Sequence, residues 1–211
     1  MSEAIMVTSA RTEELNAETR ASIIHVCRTA HQEDDFTHLF SYIPSGGIHV
    51  LAYREQEVVS HAVATTRWLQ PEGLPLLRTA YVDAVATLPA YQGQGIASTL
   101  MRHLATVIAD FEMACLETER VSFYARLGWE VWRGPLAGRR ATELLPTPDQ
   151  KGIMILRLAR TPPLGITSVH AHLPAPMFET SAFYGQSHCR GEKSHVEHKI
   201  ASYSVFSLKS E

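Results

Sequence analysis

The stretch YVDAVATLPAYQGQGIASTLMRHL, from Tyr81 to Leu104, has the pattern of a strand, a glycine loop and a helix. Tyr81 to Thr87 is a short apolar run that Leu88-Pro89 brings to an end, which predicts a strand. Gln92-Gly93-Gln94-Gly95 follows as the loop. Beyond it, apolar side chains recur at helical spacing and predict an amphipathic helix. They are Ile96, Leu100, Met101, Leu104, Val107 and Ile108.

A glycine loop that opens a helix suits a pyrophosphate group. Glycine lets the backbone turn tightly and approach a ligand closely, and the helix start adds free N–H groups and positive potential. The alternative is an ordinary strand-to-helix turn. A dinucleotide-binding fold would need G-x-G-x-x-G and a later acidic residue, and a P-loop would need Lys-Ser/Thr after its second glycine. Neither pattern is present in this loop.

The elements around this unit predict a mixed sheet. A helix capped by Asn16 should end near His31 and precede two strands, Ile48–Tyr53 and Val58–Trp68. Further elements are predicted after the central helix: strands at Met113–Leu116, Trp129–Trp132 and Ile153–Leu158, and a helix over Ser122–Leu127 that Gly128 stops. This order is typical of an α/β (α+β) protein with a mixed, mostly antiparallel central sheet flanked by helices.

Composition limits the class of protein. The 211 residues are 45% hydrophobic and 19% charged, with a net charge of −3 at pH 7, so no broad basic surface for nucleic acid is expected. No apolar run approaches the roughly twenty residues of a membrane helix, and the N-terminus does not resemble a secretory signal. Three scattered cysteines, Cys27, Cys115 and Cys189, indicate reduced thiols in a cytoplasmic protein.

The domain organisation follows from a change in pattern along the chain. We expect one domain over residues 1–176 and a polar, partly irregular C-terminal extension over residues 177–211, with a short strand at Tyr203–Leu208. His188, Cys189, His195 and His198 in this extension match no zinc-binding spacing well, and we expect no metal. His49 and His61 lie in predicted strands and are interpreted as hydrogen-bonded structural residues. Trp129 is expected in the core, whereas Trp68 and Trp132 fit either a core or a sugar-stacking role.

Two motifs resemble the GNAT acetyltransferase superfamily. Its acetyl-CoA signature, Q/R-x-x-G-x-G/A, is matched by Gln92, Gly95 and Ala97 between a strand and a helix. Ser122 to Trp129, SFYARLGW, is similar to the last conserved helix and the aromatic strand after it. The resemblance implies the GNAT fold over roughly residues 10 to 160 and acetyl-CoA as co-substrate. It also implies that the donor site is formed by Ala84, Val85, Thr87, Gln92, Gly93, Gln94, Gly95, Ile96 and Ala97.

The sequence is also similar to the aminoglycoside 2′-N-acetyltransferases within this superfamily. The segments that carry this similarity are Glu18-Thr19-Arg20, Asp35-Phe36-Thr37, Gly46-Gly47-Ile48-His49, Tyr81-Val82-Asp83, Gly128-Trp129, Trp132-Arg133-Gly134-Pro135 and Thr147-Pro148-Asp149. The resemblance implies an amine acceptor, a homodimer, and direct attack of the amine on the thioester.

The resemblance places two catalytic residues. Asp83 lies where the subfamily has a glutamate thought to remove the proton of the amine through water, and Tyr124 lies where the superfamily has its general acid. An alkylammonium with a pKa of about 10 costs roughly 4 kcal/mol to deprotonate at pH 7, so a base is needed. The alternatives are a polar residue on an exposed strand face for Asp83 and an aromatic packed beside the donor for Tyr124. A phenol is a poor acid for a thiolate, so Tyr124 either has a shifted pKa or acts by hydrogen bonding.

The acceptor site departs from the subfamily pattern. We expect Asp35, Phe40, Asp83 and Gln150 to line it, but Phe40 and Gln150 stand where the subfamily has acids. The acidic, tryptophan-bearing C-terminal segment of the subfamily has no counterpart in residues 165–177. A less anionic pocket suits an atypical aminoglycoside such as kasugamycin, whose 2′-acetylating enzymes this sequence resembles. The other hypotheses are an acetyltransferase for a metabolite or peptide amine and a non-catalytic regulator that binds acyl-CoA.

Overall fold

The computed structural model describes residues 4–71, 73–134, 136–140, 143–146, 152–164 and 206–208. The chain divides into two compact units. The first contains residues up to Arg67, residues 77–133 and the segment that ends at Leu164, and the second contains the rest. The predicted boundary at residue 176 lies outside the described residues, as do His188, Cys189, His195 and His198.

The first unit holds a sheet of seven strands. They are β1 (Ile5–Arg11), β2 (Ile48–Arg54), β3 (Glu57–Leu69), β4 (Leu77–Thr87), β5 (Met113–Glu117), β6 (Glu130–Val131) and β9 (Ile153–Arg157). The last two residues of β3 belong to the second unit. Their order across the sheet is β1-β2-β3-β4-β5-β9-β6. The pairs β1–β2, β2–β3, β5–β9 and β6–β9 are antiparallel, whereas β4 and β5 are parallel. The predicted fold class, a mixed and mostly antiparallel sheet with helices, is confirmed.

Helices cover this sheet. They are α1 (Ala17–His31), α2 (Leu39–Tyr42), α3 (Ile96–Val107) and α4 (Val121–Ala125). The start of α1 is fixed as predicted, because the side chain of Asn16 accepts a hydrogen bond from the Thr19 amide at 2.8 Å. The predicted apolar stripe of α3 is buried at Ile96, Leu100, Met101, Leu104 and Ile108. Trp129 is also buried, as expected.

Several elements differ from the sequence prediction. Strand β1 was not predicted, nor were the 3₁₀ helix Asp34–His38 and α2. Strand β4 begins at Leu77 rather than at Tyr81, because Leu77 and Thr79 are buried along with the predicted residues. Trp68 is 49% exposed, which removes it from the core.

The second unit holds a sheet of three strands, which are β7 (Leu136–Arg140), β8 (Glu143–Pro146) and β10 (Phe206–Leu208). β7 pairs with both neighbours in antiparallel orientation. β10 confirms a strand in the C-terminal extension, where Tyr203–Leu208 was predicted. The pair β7–β8 was not predicted.

Candidate active site

The parallel strands β4 and β5 separate after a short contact. Their register runs from the pair Thr79–Met113 to the pair Tyr81–Cys115 and includes no later residue of these two described strands. β4 nevertheless continues to Thr87. From Val82 onward, the backbone of β4 therefore does not pair with β5. The two strands separate there and leave a cleft between them.

The backbone of β4 is distorted at Ala84. Its φ is +49°, in the left-handed region that residues with a Cβ rarely adopt. The carbonyl oxygen of Ala84 accepts hydrogen bonds from His61 Nδ1 at 3.0 Å and from the thiol of Cys27 at 3.8 Å. The amide of Ala84 donates to the carboxylate of Asp83 at 2.7 Å. These contacts stabilise a local conformation that otherwise costs about 1–3 kcal/mol.

Tyr124 is buried and lies within the electrostatic influence of Asp83. Tyr124 is buried in α4, where its ring packs edge-on against Phe123 and Trp129 at centroid distances of 4.9 and 6.0 Å. Burial raises the pKa of Tyr124 to about 12, Arg120 opposes this rise, and the negative charge of Asp83 adds to it. The charge of Asp83 is therefore felt at Tyr124, and the catalytic roles of the two residues stay predictions.

The raised pKa bears on the two roles considered for Tyr124. Full proton transfer from a phenol with a pKa of about 12 to a thiolate with a pKa near 8.5 is unfavourable by about 5 kcal/mol. A protonated phenol can still donate a hydrogen bond to a developing negative charge. The raised pKa of Tyr124 therefore agrees better with the hydrogen-bonding alternative than with full proton donation, and the role of Tyr124 stays a prediction.

The glycine loop is held by its own side chains and is open on its outer side. Gln92 Nε2 donates to the carbonyl of Thr87 at 2.9 Å, and Gln94 Nε2 donates to the carbonyl of Ala90 at 3.0 Å. Gly93 and Gly95 have φ values of +74° and +80°, and a Cβ at either position would meet nothing within 4 Å. The loop thus presents bare backbone to open space.

Helix α3 begins directly after this loop, with Gly95 as its N-cap. The amides of a first helical turn have no acceptor within the helix and carry positive potential. The side chain of Ile96 is buried in the core, so only its backbone faces the loop. Ala97 is the next residue of the same helical turn. Before the loop, the hydroxyl of Thr87 forms a hydrogen bond with Ser60 Oγ at 2.7 Å. The loop and the first turn of α3 therefore fit a pyrophosphate, whereas Gln92, Gln94 and Thr87 use their side chains to hold the backbone in place.

Arg54, at the end of β2, adds a positive charge to the loop and was not predicted from the sequence. Its guanidinium donates to Gln94 Oε1 at 3.1 Å and lies 5.7 Å from the centroid of the Tyr91 ring. Its Nε is buried and has no hydrogen-bond partner among the described residues. No local pattern connects Arg54 with the loop, because the two are joined only by the fold.

The residues expected at the acceptor site lie on the helices before β2. Asp35 is half-buried in the 3₁₀ helix, and the neighbouring Asp34 forms an ion pair with Arg28. Phe40 is half-buried in α2 and stacks on His49 with a centroid distance of 5.7 Å. Gln150 lies outside the described residues. Phe40 thus contacts His49 on β2. His49 is hydrogen-bonded to His61 on β3, which is hydrogen-bonded to the carbonyl of Ala84 on β4.

Two further observations on the described residues concern metal-binding clusters and membrane-spanning helices. The described residues contain no group of three or more His, Cys, Asp or Glu side chains that could hold a metal ion. Within the same part of the chain, no helix is both long and apolar enough to cross a membrane.

Comparison with known proteins identifies the family. A family model described as the acetyltransferase (GNAT) domain matches residues 12–132, which include β4, the glycine loop, α3 and α4. The chain belongs to the GNAT acetyltransferases, a family of enzymes that use an acyl-CoA donor. The predicted recognition of this superfamily is confirmed.

One curated relative has a named substrate class. It is an aminoglycoside 2′-N-acetyltransferase from Mycolicibacterium fortuitum, 26% identical over 168 residues, which are 68% of this chain and 85% of that protein.

Solved structures share the fold at low identity. A GNAT acetyltransferase from Brucella melitensis, solved in complex with acetyl-CoA, has a TM-score of 0.51 at 15% identity and covers 78% of this chain and 94% of its own. The ribosomal-protein-S18-alanine N-acetyltransferase of Escherichia coli has a TM-score of 0.51 at 20% identity, over 75% and 97% of the two chains. Eis1 from Mycobacterium abscessus has a TM-score of 0.51 at 19% identity, and this chain spans 34% of its length.

Proposed function

We propose that this protein transfers the acetyl group of acetyl-CoA to an amine of an aminoglycoside-type antibiotic, and that the preferred acceptor is the 2′-amine of an atypical one such as kasugamycin. The observation that carries the preference for an atypical acceptor is the pairing of Phe40 with Arg20. Where the resemblance places an acid, an aromatic ring lies 4.7 Å from a guanidinium carbon. A positive charge at this position disfavours a polycation and tolerates an acceptor that has fewer amines or a carboxylate of its own.

The donor site is proposed to consist mainly of backbone. The open loop at Gly93 and Gly95, the first turn of α3 and the nearby Arg54 together suit a pyrophosphate. The unpaired part of β4, at Ala84, Val85 and Thr87, would hold the acetyl carbonyl and the pantetheine arm. When bound, acetyl-CoA supplies an activated acyl carbon.

The chemistry of the chain's own residues concerns one proton and one developing charge. Asp83 accepts the proton of the ammonium group through a water molecule, because an aspartate is too short for the direct contact of a longer acid. The amine nitrogen then bonds to the acyl carbon as the carbon–sulfur bond breaks, the nitrogen loses its second proton to solvent, and CoA leaves as the thiolate. Tyr124 donates a hydrogen bond to the sulfur as negative charge develops there, which stabilises the transition state without requiring proton transfer.

The biological setting of the proposal is antibiotic resistance by an enzyme that acts in the cytoplasm as a homodimer. The similarity to an aminoglycoside 2′-N-acetyltransferase supports the acceptor class and not a particular drug. Size-exclusion chromatography with light scattering would decide whether the protein is a dimer.

The experiment is a measurement of CoA release with a thiol reagent over an acceptor panel. The panel contains kasugamycin, a gentamicin-type drug and a peptide with N-terminal alanine, with Asp83→Asn as the inactive control. We expect kasugamycin to have the highest kcat/KM and its product to carry the acetyl group on the 2′-amine by NMR. Equal turnover of gentamicin-type drugs with none of kasugamycin would reject the acceptor. CoA release with the peptide alone would indicate a different acceptor, and acetyl-CoA binding without any turnover would indicate a regulator.

A further inference from the structure

A continuous chain of hydrogen bonds crosses the core from Thr12 to the distorted residue of β4. Thr12 Oγ1 is 3.1 Å from His49 Nε2, and His49 Nδ1 is 3.0 Å from His61 Nε2. His61 Nδ1 is then 3.0 Å from the carbonyl oxygen of Ala84. Thr12 follows β1, and the two histidines lie on the neighbouring strands β2 and β3. Both histidines are fully buried.

The carbonyl at the end of this chain determines the proton positions along it. A carbonyl can only accept, so His61 Nδ1 must carry a proton. Burial lowers the pKa of His61 to about 3, with the charge of His49 contributing in the same direction, and lowers the pKa of His49 to about 4. Both rings are therefore neutral at pH 7 and each holds one proton. His61 Nε2 accepts from His49 Nδ1, and His49 Nε2 accepts from the hydroxyl of Thr12.

This proton arrangement is the one that satisfies every member of the chain with neutral rings. If Thr12 instead donated to the carbonyl of Pro44, at 3.1 Å, His49 would have to donate from Nε2. His49 Nδ1 would then accept from His61. His61 Nδ1 could accept only from the thiol of Cys27 at 3.7 Å, and the carbonyl of Ala84 would face a lone pair in place of its His61 donor. An unpaired buried polar contact of this kind costs about 1–3 kcal/mol. The chain is thus polarised from Thr12 toward Ala84.

The end of the chain coincides with the strained position. In the described part of the chain, three residues other than glycine have positive φ: Gln32 and Glu55 in turns, and Ala84 inside a strand. The carbonyl of Ala84 accepts from two buried side chains, His61 and Cys27, from different elements. These donors offset the cost of the left-handed conformation.

We propose that His61, backed by His49 and Thr12, is a positioning residue that holds the peptide of Ala84 in its left-handed conformation and thereby orients the donor-binding segment Asp83–Val85. His61 does not touch the reacting atoms, and it acts through the backbone of β4. The consequence for catalysis rests on the proposed function, whereas the consequence for the conformation of β4 does not.

The first test determines the proton positions along the hydrogen bonds of His49 and His61 in the free protein. Long-range ¹H–¹⁵N correlation spectra of histidine-labelled protein give the tautomer and charge of each ring. We expect both rings to be neutral Nδ1–H tautomers from pH 8 down to pH 5. An Nε2–H tautomer of His61, or protonation of either ring near pH 6.5, would overturn the proposal.

The second test uses two substitutions that differ in one hydrogen bond. His61→Asn keeps an N–H near the position of Nδ1 and loses the contact with His49, and His61→Phe fills the space and loses both. We expect the amide resonances of Asp83, Ala84 and Val85 to move in His61→Phe and to remain near their original positions in His61→Asn. For turnover, His61→Phe should lower kcat/KM for acetyl-CoA about tenfold and His61→Asn no more than about threefold, as for loss of one buried hydrogen bond.

The outcomes distinguish a positioning role of His61 from a contribution of His61 to the stability of the core alone. Equal losses of thermal stability in the two variants, with unchanged amide resonances and unchanged kcat per folded molecule, would overturn the proposal. If His61→Phe does not fold, the tautomers of the original protein and the amide resonances of His61→Asn still decide the role of His61. A protein that binds acetyl-CoA but acetylates no acceptor would reject the proposed function, and the spectra would remain decisive for His61.

Discussion

The guanidinium carbon of Arg20 lies 4.7 Å from the centroid of the Phe40 ring, at the position where the resemblance to the aminoglycoside acetyltransferases implies an acid. Arg20 is held there by two hydrogen bonds. Its Nε donates to the carbonyl of Leu15 at 3.1 Å, and its terminal nitrogen donates to the backbone carbonyl of Thr12. The positive charge is therefore fixed in place. This pair links the sequence departure at Phe40 to the choice of acceptor.

Restoring a carboxylate should shift this choice. We expect Phe40→Glu to raise the ratio of kcat/KM for a gentamicin-type drug to that for kasugamycin about tenfold, as for gain of one charge contact with an ammonium group. Arg20 will compete for the new carboxylate, which limits the gain. Phe40→Leu, which removes the ring without adding charge, is the control and should leave the ratio unchanged. The same shift in both variants would show that ring size, and not charge, sets the preference.

The glycine loop offers a test with a matched control for backbone strain. Gly95 and Gly46 have nearly equal φ values, +80° and +77°, and a Cβ at either would meet nothing within 4 Å. Alanine at either position should therefore cost a similar free energy of unfolding, about 1–2 kcal/mol. Only Gly95→Ala places its Cβ where the proposed pyrophosphate approaches. We expect calorimetry to show about tenfold weaker acetyl-CoA binding for Gly95→Ala and unchanged binding for Gly46→Ala. Equal binding in the two variants would reject the loop as the donor site.

The parts of the fold that were predictable are those with local causes. Asn16 caps α1 through its own side chain, and the helical spacing of α3 follows directly from the residues that it buries. β1 was missed because its side chains are mostly half-exposed and several are polar, so its pairing with β2 is what makes it a strand. The 3₁₀ helix after α1 was not predicted, because its acidic first turn gives no helical pattern, and Phe36 is the residue that it buries.

The candidate site shows the same division. The glycine loop, Asp83 and Tyr124 were predicted from motifs, and their roles stay predictions. The left-handed conformation of Ala84 was not, because an alanine gives no local signal for positive φ, and the residues that stabilise it are contributed by α1 and β3. His49 and His61 were predicted to be hydrogen-bonded structural residues, and both are. Their link to Ala84 exists only in the folded chain.

Tyr124 should affect the rate and not donor binding. We expect Tyr124→Phe to lower kcat by about 10- to 100-fold with little change in the affinity for acetyl-CoA, because the hydrogen bond forms as charge develops on sulfur. Tyr53→Phe, a substitution of a half-buried tyrosine on β2, is the control. Since the pKa of Tyr124 is raised to about 12, the rate should show no fall between pH 8 and pH 10. A loss of rate in that range that disappears in Tyr124→Phe would instead show that the phenol ionises there.

The buried histidines should make the fold sensitive to mild acid. The pKa values of His49 and His61 are lowered to about 4 and about 3, mainly by burial, whereas both are near 6.5 in the unfolded chain. The unfolded state therefore binds more protons below pH 6.5, so the stabilisation is complete above that pH and is lost as the pH falls toward 4. The charged and titratable groups that face the pair are Arg20 and Glu13 beside His49, and Cys27 beside His61.

This loss can be assigned by substitution. Between pH 6.5 and pH 5, each buried histidine should remove about 2 kcal/mol from the free energy of unfolding. Carboxylates with a lowered pKa, such as Glu13 and Asp110, lose their stabilisation only at lower pH. Denaturant unfolding across this range should therefore give a shallower pH dependence for His61→Asn than for the original protein. His38→Gln, at an exposed histidine outside the chain of hydrogen bonds, should keep the original dependence. An unchanged slope in His61→Asn would mean that His61 takes up no extra proton on unfolding and is already charged in the fold.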